Sequence, residues 1–240
     1  MMLVKALSAS ADSAFLRKAC GILQDCPGRT NAVKLSNILL EDRNCMSLHH
    51  TRRLKTAKKI QAVAVELAVR DGLANVTTEA IARHADISTR TFFNYYPYKE
   101  AALMGPPPDY PAEASEIFVQ GKGRLIDDLG QLIEAHITRF LDEREMIGHI
   151  LRLSESDAKL EALRNSAMLA RRAQMRTLLH RRLPGSDERL IEILAAAIVA
   201  ATNAATKDWV AGTRTDFIAA AHENLALILV AAEMLDKPTP

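Results

Sequence analysis

The chain has 240 residues, 48% of them apolar and 25% charged, which is enough apolar surface for a core and excludes wholesale disorder. Aromatic residues are only 5% while Ala and Leu recur throughout, favouring packed helices over sheets. The net charge of +2 is unevenly spread: residues 46–103 carry 9 basic against 5 acidic side chains, and residues 104–240 carry 16 against 20. A compact basic segment before a larger acidic one suggests that only the first meets a polyanion.

Residues 1–45 read as an extension outside the folded domains, either disordered or not translated, with Met46 as the alternative start. Residues 1–6 lack the sustained apolar stretch of a secretory signal. Short helices are expected near 11–23 and 32–40. All three cysteines, Cys20, Cys26 and Cys45, lie in this extension. Their spacing, with His49 and His50, does not fit a zinc site, so no metal is expected. An odd cysteine count argues against a disulfide framework and for a reducing cytoplasm.

From Thr51 the pattern sharpens. Ile60, Val63, Ala64, Leu67 and Ala68 form the stripe of an amphipathic helix, stopped at Asp71-Gly72 by glycine's access to the left-handed region. Thr77 caps a second helix to about Ala85, with Glu79 near its positive end. Asp86-Ile87 make a tight turn, and Ser88 caps a third helix to about Tyr95. Pro97 ends it, and a fourth begins at Tyr98-Lys99-Glu100. Short helices joined so tightly read as helix-turn-helix over a domain at 46–104.

Residues 105–111 hold four prolines and form a linker. A helical ligand-binding and dimerisation domain is expected over 112–236. One stripe there runs through Leu125, Leu129, Leu132, Ile133, His136, Ile137, Phe140 and Leu141. Helices follow at about 144–153 and 157–183. Ser186 is expected to cap the next, with Ile191, Leu194, Ala195, Ile198, Val199 and Thr202 on one face. Gly212 ends it, and a last helix spans about 216–235. There is no strand alternation, so the fold class is all-α. The longest apolar runs, 193–201 and 225–232, fall short of a bilayer span, and no membrane association is expected.

The segment 77–100, with its two threonines, Ile81-Ala82, Ser88 in the turn, the aromatics Phe92, Phe93, Tyr95 and Tyr96, and Pro97-Tyr98-Lys99-Glu100, resembles the DNA-binding domain of TetR-family transcriptional regulators. The resemblance covers about residues 52–103. Asp86 stands where the family usually has Gly, and Asp tolerates the left-handed region the turn needs. Tyr98 stands where a small polar residue usually precedes the Lys. Beyond residue 103 the chain agrees with the family in being helical and of suitable length.

The residues support the same chemistry. Thr78, Ser88 and Thr89 sit at helix N-termini, where unpaired backbone N–H groups favour phosphate. Arg90 and Thr91 lie in the first turn of the third helix, placed to meet guanine and the thymine methyl; Asn94 is placed for adenine or phosphate. The resemblance implies backbone contacts for Tyr95 and Lys99. Arg52, Arg53 and Lys55 form a basic arm before the motif, or a solvated face. Phe92, Phe93 and Tyr96 are expected in the core.

The acidic domain carries no phosphate loop, nucleophile elbow or zinc-protease motif, so no catalytic residue and no cofactor are expected. His136, Met146 and His149 are the candidate ligand-pocket residues. Arg164, Arg171, Arg172, Arg176, Arg181 and Arg182 read as a solvated face, with an acidic ligand as the alternative. Ile191, Leu194, Ile198, Phe217, Ala221, Leu225 and Ile228 are the candidate dimer interface, the four-helix arrangement the resemblance implies. The expected function is a cytoplasmic, ligand-responsive repressor. It would bind double-stranded DNA as a homodimer and answer to an unidentified small-molecule effector. The alternatives are a helical adaptor without DNA binding and a small all-α enzyme.

Overall fold

The computed structural model describes residues 31–106 and 109–236, with side chains from 51 to 235. The chain divides into two compact units, Met1–Arg53 and Leu54–Pro240. In the first, the described backbone is the start of helix α1 (Asn31–Asp71). The expected helix over 32–40 falls within α1, while the one over 11–23 lies outside the described residues, as do Cys20, Cys26 and the side chains of Cys45, His49 and His50.

In the second unit α1 is followed by α2 (Thr78–His84), α3 (Thr89–Tyr95), α4 (Lys99–Met104), α5 (Ala112–Gln120), α6 (Leu125–Ile137), α7 (Arg144–Ser156), α8 (Ala158–Arg182), α9 (Glu188–Ala211) and α10 (Phe217–Glu233). Among the described residues there is no strand. The architecture is all-α, a helix-turn-helix followed by a helical domain.

Two apolar clusters hold this unit together. The first gathers Ile60, Ala64, Leu67 and Ala68 of α1 with Ile81, Phe92, Tyr96 and Leu103, all buried. It extends into the C-terminal helices: Leu160 of α8 is buried in it, and Met146, Ile150 and Leu153 of α7 pack against it. The second is built by α6, α8, α9 and α10 with Tyr110 and Phe118. Gly105 closes the helix-turn-helix. Its φ of 71° suits glycine, and a Cβ there would lie 2.2 Å from the Gln61 carboxamide. That carboxamide donates to the carbonyls of Leu103 and Met104, both at 3.2 Å, fixing the end of α4 on α1.

Three local features differ from the sequence expectations. The stripe through Leu141 is broken after Ile137, because residues Thr138–Glu143 wind as a 3-10 turn. Asp187, not Ser186, caps α9, its carboxylate accepting from the Arg189 N–H. Phe93 is 52% exposed, because α3 buries Phe92 and Tyr96 and turns the intervening ring outward.

The candidate dimer residues need a larger revision. Ile191, Ile198, Phe217, Ala221 and Leu225 are buried in this chain's own core, with Leu194 and Ile228 packed against it. Helices α9 and α10 spend that face on each other and on α6 and α8. A second apolar stripe remains outside: Leu190 and Ile193 on α9, Leu227 and Val230 on α10, and Met234 just after it. Helix α9 is also long and apolar enough to cross a membrane by length and composition alone. Seven of its residues are buried in the core, which is reason enough for its apolar character.

Candidate nucleic-acid interface

Local chemistry sets up helices α2 and α3. Thr77 Oγ1 accepts from the Ala80 N–H at 3.1 Å and Ser88 Oγ from the Thr91 N–H at 3.0 Å, so each helix begins at a side-chain cap. Between them Asp86 adopts φ 54°, the one positive φ outside glycine among the described residues. Its short polar side chain tolerates that conformation, and the turn closes through the Ile87 N–H on the Ala82 carbonyl at 3.0 Å. Phe92, fully buried, anchors α3 to α1 and α2, with the Phe93 ring edge-on to it at 5.4 Å. The buried Tyr96 hydroxyl donates to the Ala57 carbonyl at 3.2 Å, and burial pushes it up to about 12, so it stays a neutral donor.

This anchoring leaves one face of α3 to solvent. Arg90, Phe93 and Asn94 are exposed at i, i+3 and i+4, and Thr91 is half-buried beside them. Thr91 Oγ1 lies 2.8 Å from Ser88 Oγ, so its hydroxyl is held by the cap and its methyl is the free contact group. Ser88 is exposed, and Thr78, Thr89 and Tyr95 are half-buried. Before the motif, Arg52, Arg53, Lys55, Lys58 and Lys59 are exposed along α1. Lys58 pairs with Glu143 at 2.6 Å.

Lys99 is placed differently from a free surface cation. Its ammonium donates to the carbonyls of Leu73 at 2.8 Å and Val76 at 2.9 Å, the two ends of the short link from α1 to α2. The Leu73 carbonyl also accepts from the Val76 N–H at 3.3 Å, so Lys99 braces a turn that the backbone already closes and is the donor to the Val76 carbonyl. Phe93 is the residue sequence reasoning misplaced. An aromatic cluster in a small domain reads as core, and only the helix's orientation shows that one ring faces out.

The candidate pocket residues sit in different surroundings. His136 is buried on α6 with its ring 4.8 Å from that of Tyr110 and 5.4 Å from that of Phe140. Met146 packs in the helix-turn-helix cluster. His149 is half-buried on α7, its Nδ1 2.8 Å from the Arg152 guanidinium and its Nε2 3.6 Å from Glu145. Among the described residues, no group of three metal-ligating side chains gathers.

The arrangement defines a helix-turn-helix whose second helix, α3, turns one face to solvent. Residues 60–103 match the family model for bacterial regulatory proteins of the tetR family. That segment is a tetR-family regulatory domain. No curated protein matches the chain. Solved structures also align with it. One is FadR of Thermus thermophilus, a TetR-family transcriptional repressor in complex with lauroyl-CoA. It is 22% identical, with 72% of this chain and 93% of that chain covered and a TM-score of 0.44. Another is from Shewanella sp. PV-4 and is assigned to the tetR family transcription regulators. It is 20% identical, with 71% and 95% covered and a TM-score of 0.44.

Proposed function

We propose that the protein is a ligand-responsive transcriptional repressor that binds a near-palindromic operator as a homodimer. The observation that carries the DNA-binding reading is the outer face of α3. Arg90 and Asn94 are exposed there on a capped helix, inside the segment that matches the tetR-family model. An adaptor or enzyme has no use for a guanidinium and a carboxamide on such a face. Arg90 reads guanine, the Thr91 methyl and the Phe93 ring meet thymine methyls, and Asn94 reads adenine or holds phosphate. Ser88, Thr89 and Thr78, at the helix starts, meet phosphates, as do Tyr95 and the basic arm of Arg52, Arg53 and Lys55.

The dimer forms through the outer apolar stripe of α9 and α10. Leu190 and Ile193, then Leu227, Val230 and Met234, recur at the three- and four-residue spacing of a helix–helix seam. Two recognition helices then meet successive major grooves about 34–36 Å apart. An effector in the C-terminal helices favours a dimer geometry that spoils this spacing, a coupling of about 1–3 kcal/mol. Contacts of Met146, Ile150, Leu153 and Leu160 with the helix-turn-helix core support that route.

Selection from sheared genomic DNA at two salt concentrations tests the reading. Recovery of a shared near-palindrome, lost with Arg90→Ala, is expected; recovery of nothing specific by folded dimer without ligand would favour the adaptor.

A further inference from the structure

Helix α7 carries Arg144, Gly148 and Arg152 at i, i+4 and i+8, on the face that meets the end of α9. The glycine lets the two helices close on each other. A Cβ at Gly148 would lie 3.0 Å from Val210 Cγ1 and 3.4 Å from Arg152 Nη1. Beside that contact a cleft of about 410 Å³ opens, lined by Asp142, Arg144, Glu145, Gly148, Arg152 and Val210. Its volume is in the range that holds a small organic ligand.

Two guanidiniums and two carboxylates line this cleft, and none of them pairs with another. The Arg144 guanidinium lies 5.7 Å from the centroid of the buried Trp209 ring, and a Cβ at Gly212 would sit 3.3 Å from its Nη2. An aromatic face and a helix end place it, not a carboxylate. Trp209 is in turn stacked on Phe217 at 4.5 Å, which fixes the ring. Arg152 and Glu145 are kept apart by His149. Its Nδ1 is 2.8 Å from the Arg152 guanidinium and its Nε2 is 3.6 Å from Glu145. Asp142 is exposed and has no cation within ion-pair distance among the described residues. The cleft thus presents a positive and a negative pole that do not neutralise each other.

We propose that this cleft binds an α-amino acid as its zwitterion. The carboxylate pairs with Arg144 and Arg152, the ammonium with Asp142 or Glu145, and the side chain lies against Val210. A ligand with only one charge leaves the opposite pole unmatched. The proposal rests on the ligand-responsive reading above and names the chemical class of the effector. Another face of α7 packs Met146, Ile150 and Leu153 against the helix-turn-helix core, so a ligand held on α7 bears on a helix that the DNA-binding part leans on.

The test titrates the full chain with each common L-amino acid by calorimetry. At least one should bind with a Kd below about 1 mM. The amide of that amino acid lacks the carboxylate and its N-acetyl form lacks the ammonium, and each should bind at least about tenfold more weakly. Arg152→Gln, and the combined Asp142→Asn and Glu145→Gln, change exposed side chains. Each variant should weaken binding at least about tenfold and leave the ligand-free thermal midpoint unchanged. The proposal fails if no amino acid binds, if either blocked form binds as tightly as the free one, or if either variant keeps full affinity. Such a failure overturns this site and leaves the ligand-responsive reading to stand or fall on other effectors. Release of selected DNA by the amino acid is measured separately. Binding without release keeps the site and overturns only its role as the effector site.

Discussion

Lys159 on α8 donates a 2.9 Å hydrogen bond to Glu100 on α4, and its ammonium sits 4.1 Å from the Tyr98 ring centroid. The adjacent residue, Leu160, is 1% exposed inside the cluster built by α1, α2, α3 and α4. The helix-turn-helix therefore completes its core with a side chain from the helical domain. Leu160→Ala should destabilise the protein by about 2–4 kcal/mol, the usual cost of truncating a fully buried leucine. Because the lost contact joins the two parts, thermal unfolding should also separate into two transitions. Calorimetry checks both; a single transition of unchanged midpoint would mean that the parts do not depend on this contact.

Lys99 combines a structural and an electrostatic task. Its ammonium donates to the carbonyls of Leu73 and Val76, so Lys99→Ala should cost about 1–3 kcal/mol, mainly by leaving the Val76 carbonyl without its donor, since the Leu73 carbonyl keeps the Val76 N–H. The same substitution should weaken binding to all DNA sequences alike and lower the salt slope by no more than about one unit. Urea midpoints and binding titrations at several salt concentrations separate the two effects. A sequence-dependent loss would place Lys99 at a base edge instead.

Base reading is expected from the exposed face of α3. Arg90→Ala should weaken specific binding by about 1–3 kcal/mol and leave non-specific binding nearly intact. Thr91→Ala should show the same pattern through loss of a thymine contact. Thr91→Val should retain most affinity, because it keeps a methyl and gives up only a hydroxyl that faces Ser88. Competition titrations against random DNA distinguish these variants; equal losses on both DNAs would exclude base reading.

The caps and stops of this fold were legible because local chemistry decides them. Thr77, Ser88, Gly72 and Gly212 act as their types and spacing predict, and the stripe from Ile60 to Ala68 is the core face of α1. What periodicity cannot decide is which side of an apolar helix meets its own chain. Helices α9 and α10 have apolar residues on both sides, so Ile198 and Ile193 are equivalent in sequence and opposite in structure, at 0% and 67% exposure.

That distinction between the two faces can be measured. Ile193→Glu or Leu227→Glu should convert the proposed dimer to a folded monomer, because each places a charge in the exposed apolar stripe. Ile198→Ala should leave the association state alone and lower stability by about 2–4 kcal/mol, since Ile198 is fully buried in the chain's own core. Light scattering with circular dichroism reads both. Dissociation by Ile198→Ala alone would return the interface to the inner stripe.

His136 gives the protein a defined acid sensitivity. Burial, then the charges of Arg171 and Arg139, lower its imidazole from 6.5 to about 3 in the native state, against a partial opposing effect of the Asp109 backbone. Between those values the unfolded chain takes up a proton that the folded chain refuses, so stability is lost as the pH falls. The group's contribution is constant above about pH 6.5. It amounts to a loss of about 2 kcal/mol by pH 5 and grows until the native imidazole itself titrates near pH 3. His136→Phe should remove this portion of the pH dependence while keeping the ring contact with Tyr110. Urea unfolding of both proteins at pH 7.5 and pH 5 tests it; parallel losses in the two would show that His136 is not the group that titrates.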